Sequence, residues 1–186
     1  MKKLLLIILI LIAGCSWRSP NSRFYMMNSH GLSSLSNKKL NIAVAKIKVP
    51  DILNRPQMIT YDTQNNQVNI MEFHRWAEVF PDVIQATVVN DLIAYLPNSY
   101  VLRTDLNQST AHYNIDIEIN TFQAGNDKVI LSVWWTISDT AGKILERRQD
   151  TFETPVKNKS ISALVETQSQ TVHLLSRAIA EQLLSL

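Results

Sequence analysis

The sequence contains one cysteine, Cys15, so it can build neither an internal disulfide nor a thiolate metal cluster. Glycine is almost as scarce: four in 186 residues, none in a phosphate-cradling loop or a dinucleotide fingerprint. No Gly-x-Ser-x-Gly elbow is present. The four histidines, His30, His74, His112 and His173, have no ligand spacing with one another, so no metal site is indicated. The longest apolar run, Leu4 to Ala13, is about half the length a helix needs to span a bilayer. Nor is there a useful excess of charge. Lys and Arg number 18 against 16 Asp and Glu, and two of those cations are Lys2 and Lys3 at the extreme N-terminus.

What the first sixteen residues do contain is a processing pattern. Lys2-Lys3 precede the Leu/Ile segment Leu4 to Ile12, and Ala13-Gly14-Cys15-Ser16 follow. Two cations, a short apolar stretch, small residues and a cysteine are expected to form a bacterial lipoprotein signal, with residues 1–14 removed and Cys15 lipidated. The thiol is the nucleophile that accepts a diacylglyceryl group, and N-acylation completes three chains. At about 0.8 kcal/mol per buried CH2, several chains hold a protein on a membrane where one gives only reversible attachment. The alternative is a plain secretory signal with an incidental cysteine. Ser16, in place of the Asp that favours inner-membrane retention in Gram-negative lipoproteins, implies the outer membrane, periplasmic face. Loss of Lys2 and Lys3 leaves sixteen residues of each sign, and a neutral domain lacks the electrostatic footprint that nucleic acid requires.

Past the signal, residues 15–23 hold Pro20, Asn21 and serines without an apolar period, and read as a lipidated tether. Residues 24–186 are expected to form one domain. Phe24 to Met27 predicts a first strand, Leu40 to Val49 a second ended by Pro50, and Gln57–Tyr61 with Gln67–Phe73 a hairpin turning at Asn65-Asn66. Ile84, Val88, Leu92, Tyr95 and Leu96 recur at helical steps behind Pro81. Tyr100 to Leu102 is a short strand and Asn107 to Thr110 a loop. Tyr113, Ile115, Ile117 and Ile119 alternate with Asn114, Asp116, Glu118 and Asn120, which predicts a strand with one dry face. Val129 to Ile137 and the charged, edge-like Lys143 to Phe152 continue it as an antiparallel meander. Ser160 caps a long last helix whose stripe runs through Ile161, Val165, Gln168, Val172, Leu175, Ile179 and Leu183 at near-heptad spacing. The fold class is therefore α+β: a largely antiparallel sheet of hairpins packed by two helices, the C-terminal one long.

Candidate chemistry is thin. Asp116 with Glu118, and Glu72 with His74, share strand faces, but alternation with apolar residues reads as a solvated sheet face rather than an acid/base pair. The triplets Asn107-Gln108-Ser109 and Asn158-Lys159-Ser160 match a glycosylation acceptor that the bacterial signal makes irrelevant. No enzyme, cofactor or metal is predicted. The loop Asp51-Ile52-Leu53-Asn54 sets two large apolar residues between turn formers, and Trp76 precedes the first helix; Ile52, Leu53 and Trp76 are candidate partner or subunit contacts, with plugging of the core as the other reading of Leu53 and Trp76.

The order of these features resembles the PqiC-like ABC-type transport auxiliary lipoproteins. The residues that carry the resemblance are the lipidation signal, Phe24-Tyr25, the stretch Val49-Pro50-Asp51-Ile52-Leu53-Asn54-Arg55-Pro56-Gln57-Met58, Trp76-Ala77-Glu78, the alternating isoleucine strand and the terminal helix. Met27 stands where a leucine is expected, and Phe80-Pro81 are added between Trp76 and the helix. The resemblance implies a non-catalytic outer-membrane lipoprotein forming a homo-oligomeric ring. Its implied partner is a mammalian-cell-entry (MCE) domain protein that moves lipid across the periplasm. A general envelope scaffold lipoprotein is the alternative, and a lipid carrier would need a sizeable apolar cavity within one protomer.

Overall fold

A computed structural model of the chain describes residues 20–62, 64–103 and 111–186. The signal peptide 1–14, Cys15, most of the tether and the loop Asn107–Thr110 lie outside the described residues.

Among the described residues, eight strands and two helices follow in the order β1 (Arg23–Tyr25), β2 (Asn41–Val44), a 3-10 turn (Asp51–Leu53), β3 (Gln57–Asp62), β4 (Gln67–Trp76), α1 (Phe80–Tyr95), β5 (Tyr100–Arg103), β6 (Tyr113–Ala124), β7 (Lys128–Ser138), β8 (Ile144–Pro155) and α2 (Ile161–Ser185). They make a single α+β domain with two sheets, β1-β4-β3 and β5-β2-β6-β7-β8. The hairpin β3–β4 and the meander β6–β7–β8 are antiparallel, as their short turns require. At the β7–β8 turn the Asp139 carboxylate accepts from the amides of Ala141 and Lys143, both at 2.9 Å, and Gly142 takes a φ of 79°.

The remaining pairings are parallel: β1 with β4, and β2 with both β5 and β6. Parallel neighbours need a crossover, and here β2 reaches β5 by way of the hairpin and α1. The strand predicted over Leu40 to Val49 is four residues long. Beyond Val44 the chain leaves the regular ladder and stays beside β6 through single bonds, from Ala45 to the Ile115 carbonyl at 2.8 Å and from Lys48 to the Ile117 carbonyl at 3.1 Å.

The core lies between the larger sheet and the helices. Ile115, Ile117, Ile119, Val129, Leu131, Val133, Trp135 and Ile137 point inward from β6 and β7, while Asp116, Glu118 and Trp134 face out. A bulge between Ile119 and Thr121 advances the register, so that Phe122 and Ala124 take over the inward positions. The 16-residue α1 begins at Phe80 with Pro81 in its opening turn, which settles the added Phe80-Pro81 as the first helical residues. It is buried on most sides, against β5 and α2. In α2 the Ser160 hydroxyl accepts from the Ala163 amide at 3.1 Å, and 25 residues run roughly 37 Å. Val165, Val172, Leu175, Ile179 and Leu183 are buried against β7, β8 and α1; Ile161 is half-buried at the helix entrance.

Candidate partner-docking site

The stretch from Val49 to Met58 is a turn riveted to the rest of the fold. Pro50 fixes its own φ and leaves its carbonyl to accept from the Leu53 amide at 2.8 Å; Asn54 bonds back to Asp51 at 3.1 Å and Arg55 to Leu53 at 2.8 Å. Pro56 and Arg55 then hold the next elements by their carbonyls, which accept from Trp76 at 2.6 Å and Phe80 at 3.4 Å. Backbone bonds from one loop thus tie the end of β4 to the start of α1. Below them an aromatic column descends into the core: Trp76 packs on Phe80 with ring centroids 5.5 Å apart, and Phe80 on Phe122 at 5.3 Å.

The three apolar candidates separate on this scaffold. Leu53 is 4% exposed and Trp76 2%, both within the core cluster, so neither has surface to offer a partner; they hold the loop down from inside. Their burial accords with the other reading, in which Leu53 and Trp76 plug the core. Ile52 is 37% exposed at the crest of the turn, between exposed Asp51 and the Leu53 plug. A rigid turn presenting one branched apolar residue beside polar neighbours is geometry suited to a small docking contact. Cys15, the predicted lipidation residue, lies outside the described residues.

The carboxylates do not assemble a reaction centre. Asp116 and Glu118 stand on the uncovered face of the larger sheet, in an open depression with Lys46, Lys48, Trp134 and Arg147, whose guanidinium lies 5.3 Å from the Trp134 ring. Glu72 and His74 part ways: Glu72 is exposed, whereas His74 stacks with Tyr25 and its Nδ1 shares a hydrogen bond with the Tyr25 hydroxyl at 2.8 Å. His30 and His112 are exposed. Among the described residues no three His, Cys, Asp or Glu side chains come close enough to hold a metal ion. Burial pushes the Tyr61 hydroxyl above the usual phenol range, and burial with the nearby Asp91 carboxylate does the same at Tyr95. The hydrogen bond from the Asn65 side chain holds the Asp62 carboxyl low. Tyr61 and Asp62 adjoin on β3, whereas Tyr95 ends α1.

Sequence reasoning missed two arrangements. His173 of α2 meets Asp91 of α1 at 2.8 Å in the interior. Gln85 of α1, 1% exposed, donates to the Val44 carbonyl at 3.0 Å and accepts from Arg103 Nε at 2.9 Å, joining α1 to β2 and β5. Polar residues on a helix otherwise rich in apolar ones were the available signal. The interior between Leu53, Trp76, Phe80, Phe122 and Gln168 encloses about 10 Å³, room for one water and not for an acyl chain. No helix of the described residues is long and apolar enough to cross a membrane.

Comparison with known proteins places this architecture. The family model described as "ABC-type transport auxiliary lipoprotein component" matches residues 28–180. A crystal structure of an uncharacterized protein superposes with a TM-score of 0.73 at 18% identity, covering 88% of this chain and 99% of that one. Protein XCC0632 from Xanthomonas campestris, of family DUF330, superposes with a TM-score of 0.69 at 13% identity over 85% and 92%. At such identities the likeness is one of fold. No curated protein matches the chain.

Proposed function

Because the chain belongs to the ABC-type transport auxiliary lipoprotein family, we propose that it is a non-catalytic component of an MCE-type lipid-transport system, held through acylated Cys15 at the outer membrane. It acts there as a docking element. A homo-oligomeric ring of these domains receives the tip of a periplasm-spanning MCE-domain protein, and the Pro50–Asn54 turn carries part of the contact through Ile52. The observation that carries the reading is the family match over most of the mature chain, on a fold whose signature stretch builds a rigid turn with Ile52 exposed at its crest. The absence of a thiol other than Cys15 and the solvated setting of Asp116 and Glu118 support docking over catalysis.

The test is a crosslinking pulldown from envelopes with the wild-type chain and with Ile52→Asp. Recovery of an MCE protein with the wild type, reduced by Ile52→Asp, is expected. Recovery of envelope-assembly proteins without an MCE protein would instead support a general scaffold lipoprotein.

A further inference from the structure

The smaller sheet carries an apolar surface that the docking turn does not use. Phe24 is 64% exposed, Met26 67% and Phe73 41%. Register explains the grouping. Phe24 lies opposite Arg75 in the parallel β1–β4 ladder, and Phe73, two residues before Arg75, falls on the same face by strand alternation. The opposite face holds Tyr25, His74 and buried Trp76, so Phe24 and Phe73 are turned away from the core. Exposed apolar side chains grouped on one face in this way mark an interaction surface.

We infer that this arm, built on β1 and β4, rests in the headgroup region of the lipid surface to which the chain is tethered. The inference rests on lipidation at Cys15. Only eight residues separate Cys15 from Phe24, nine residue steps that span at most roughly 30 Å fully extended and about 17 Å as a flexible coil. The end of the tether gives the direction: Pro20 and Asn21 border the same open depression as Phe73 and His74, so the chain leaves the domain beside the apolar arm. A surface held within that radius meets these side chains at high effective concentration. Arg75 shares the face of the phenylalanines, and a long cationic side chain reaches toward lipid phosphates while its stem and the aromatic rings sit deeper.

The experiment uses the full chain, acylated in cells and reconstituted into vesicles of phosphatidylethanolamine and phosphatidylglycerol. With Cys15 acylated, a thiol introduced as Phe73→Cys, or as Phe24→Cys in a second variant, takes an environment-sensitive NBD label selectively. Lys143→Cys is the control: it follows the β7–β8 turn, whereas the arm's hairpin approaches the opposite end of β7, where Gly125 lies beside the Tyr61 carbonyl. Eleven residues of β7 separate those ends by roughly 35 Å. Expected is a blue shift and loss of emission on brominated lipid at positions 73 and 24, and neither at 143. A protein that floats with the vesicles yet shows no lipid quenching at 73 and 24 overturns the inference and leaves acylation standing. A blue shift without lipid quenching, accompanied by crosslinks between copies, assigns the arm to a second chain and overturns it too. A chain that does not float removes the Cys15 anchor and the inference with it.

Discussion

His173 Nδ1 lies 2.8 Å from Asp91 Oδ2, joining α2 to α1 across the domain interior, where Asp91 is fully buried and its other oxygen has no hydrogen-bond partner. Water does not reach the Asp91 side of this hydrogen bond. Removing one partner strands the other, which typically costs about 3–5 kcal/mol, whereas replacing both with apolar residues of similar volume is often neutral. His173→Ala is therefore expected to destabilise by that amount, and Asp91→Leu with His173→Leu to recover most of it. Urea unfolding of the two single variants and the double variant reads this directly. A cost for His173→Ala below about 1 kcal/mol would show that the pair carries little.

Alkaline stability follows from the tyrosines. Tyr95 is held above the usual phenol value by burial and then by Asp91, and Tyr61 by burial. Unfolded tyrosine titrates near 10. Above that pH the unfolded chain releases protons that the folded one retains, so stability is intact below about pH 10 and falls as pH rises through the folded values. Tyr95→Phe should flatten this decline. At neutral pH it should lose only the hydroxyl's long bond to the His173 carbonyl, 3.4 Å, at about 0.5 kcal/mol. Urea midpoints collected from pH 7 to 11 separate the two effects.

Leu53 and its neighbour Ile52 offer a contrast within one turn. An aspartate at 53 would carry a charge into the core beside Trp76 and Phe80, where an unpaired carboxylate cannot be solvated; Leu53→Asp should unfold the domain or lower its melting temperature steeply. Ile52→Asp changes an exposed side chain and should stay within about 0.5 kcal/mol of wild type. Thermal melts of both settle it: equal losses would mean that Ile52 is structural and that the docking reading of the turn lacks a side chain.

The elements with a clean period were legible. Ile115, Ile117 and Ile119 announced the dry face of β6, and the spacing of Val165, Val172, Ile179 and Leu183 announced the buried stripe of α2. Where two periods meet, the signal was lost: the bulge after Ile119 hands the core from odd to even positions, and nothing in Thr121-Phe122-Gln123-Ala124 marks the change. The buried polar residues of α2 were invisible for another reason. Thr167, Ser169, Thr171 and Ser176 each return a hydroxyl bond to the carbonyl four residues earlier, at 2.8 to 3.0 Å, which lets residues that look solvent-facing occupy the interior. Parallel pairing of three-residue β1 with β4 is a long-range choice that no local pattern encodes. For the site, adjacency in the loop grouped Ile52 with Leu53, but only the fold turns one outward and the other in.

Gln168 provides the last test, because here the interior is imperfect. The side chain is 3% exposed, its Oε1 has no partner, and it borders the cavity of about 10 Å³ beneath Trp76, Phe80 and Phe122. A water in that space would find Gln57 as the other polar neighbour among the lining residues, fewer partners than a trapped water normally needs. The acceptor therefore bears a desolvation penalty that little offsets. Gln168→Met keeps the length of the side chain, removes the unpaired oxygen and should raise stability by about 1 kcal/mol. Gln168→Ala also removes the oxygen but deepens the void, and its lost contacts should outweigh the gain. Chemical denaturation should rank the three chains Met above Gln above Ala. A Met variant less stable than wild type would mean that the glutamine, directly or through a bound water, is better satisfied than its surroundings allow.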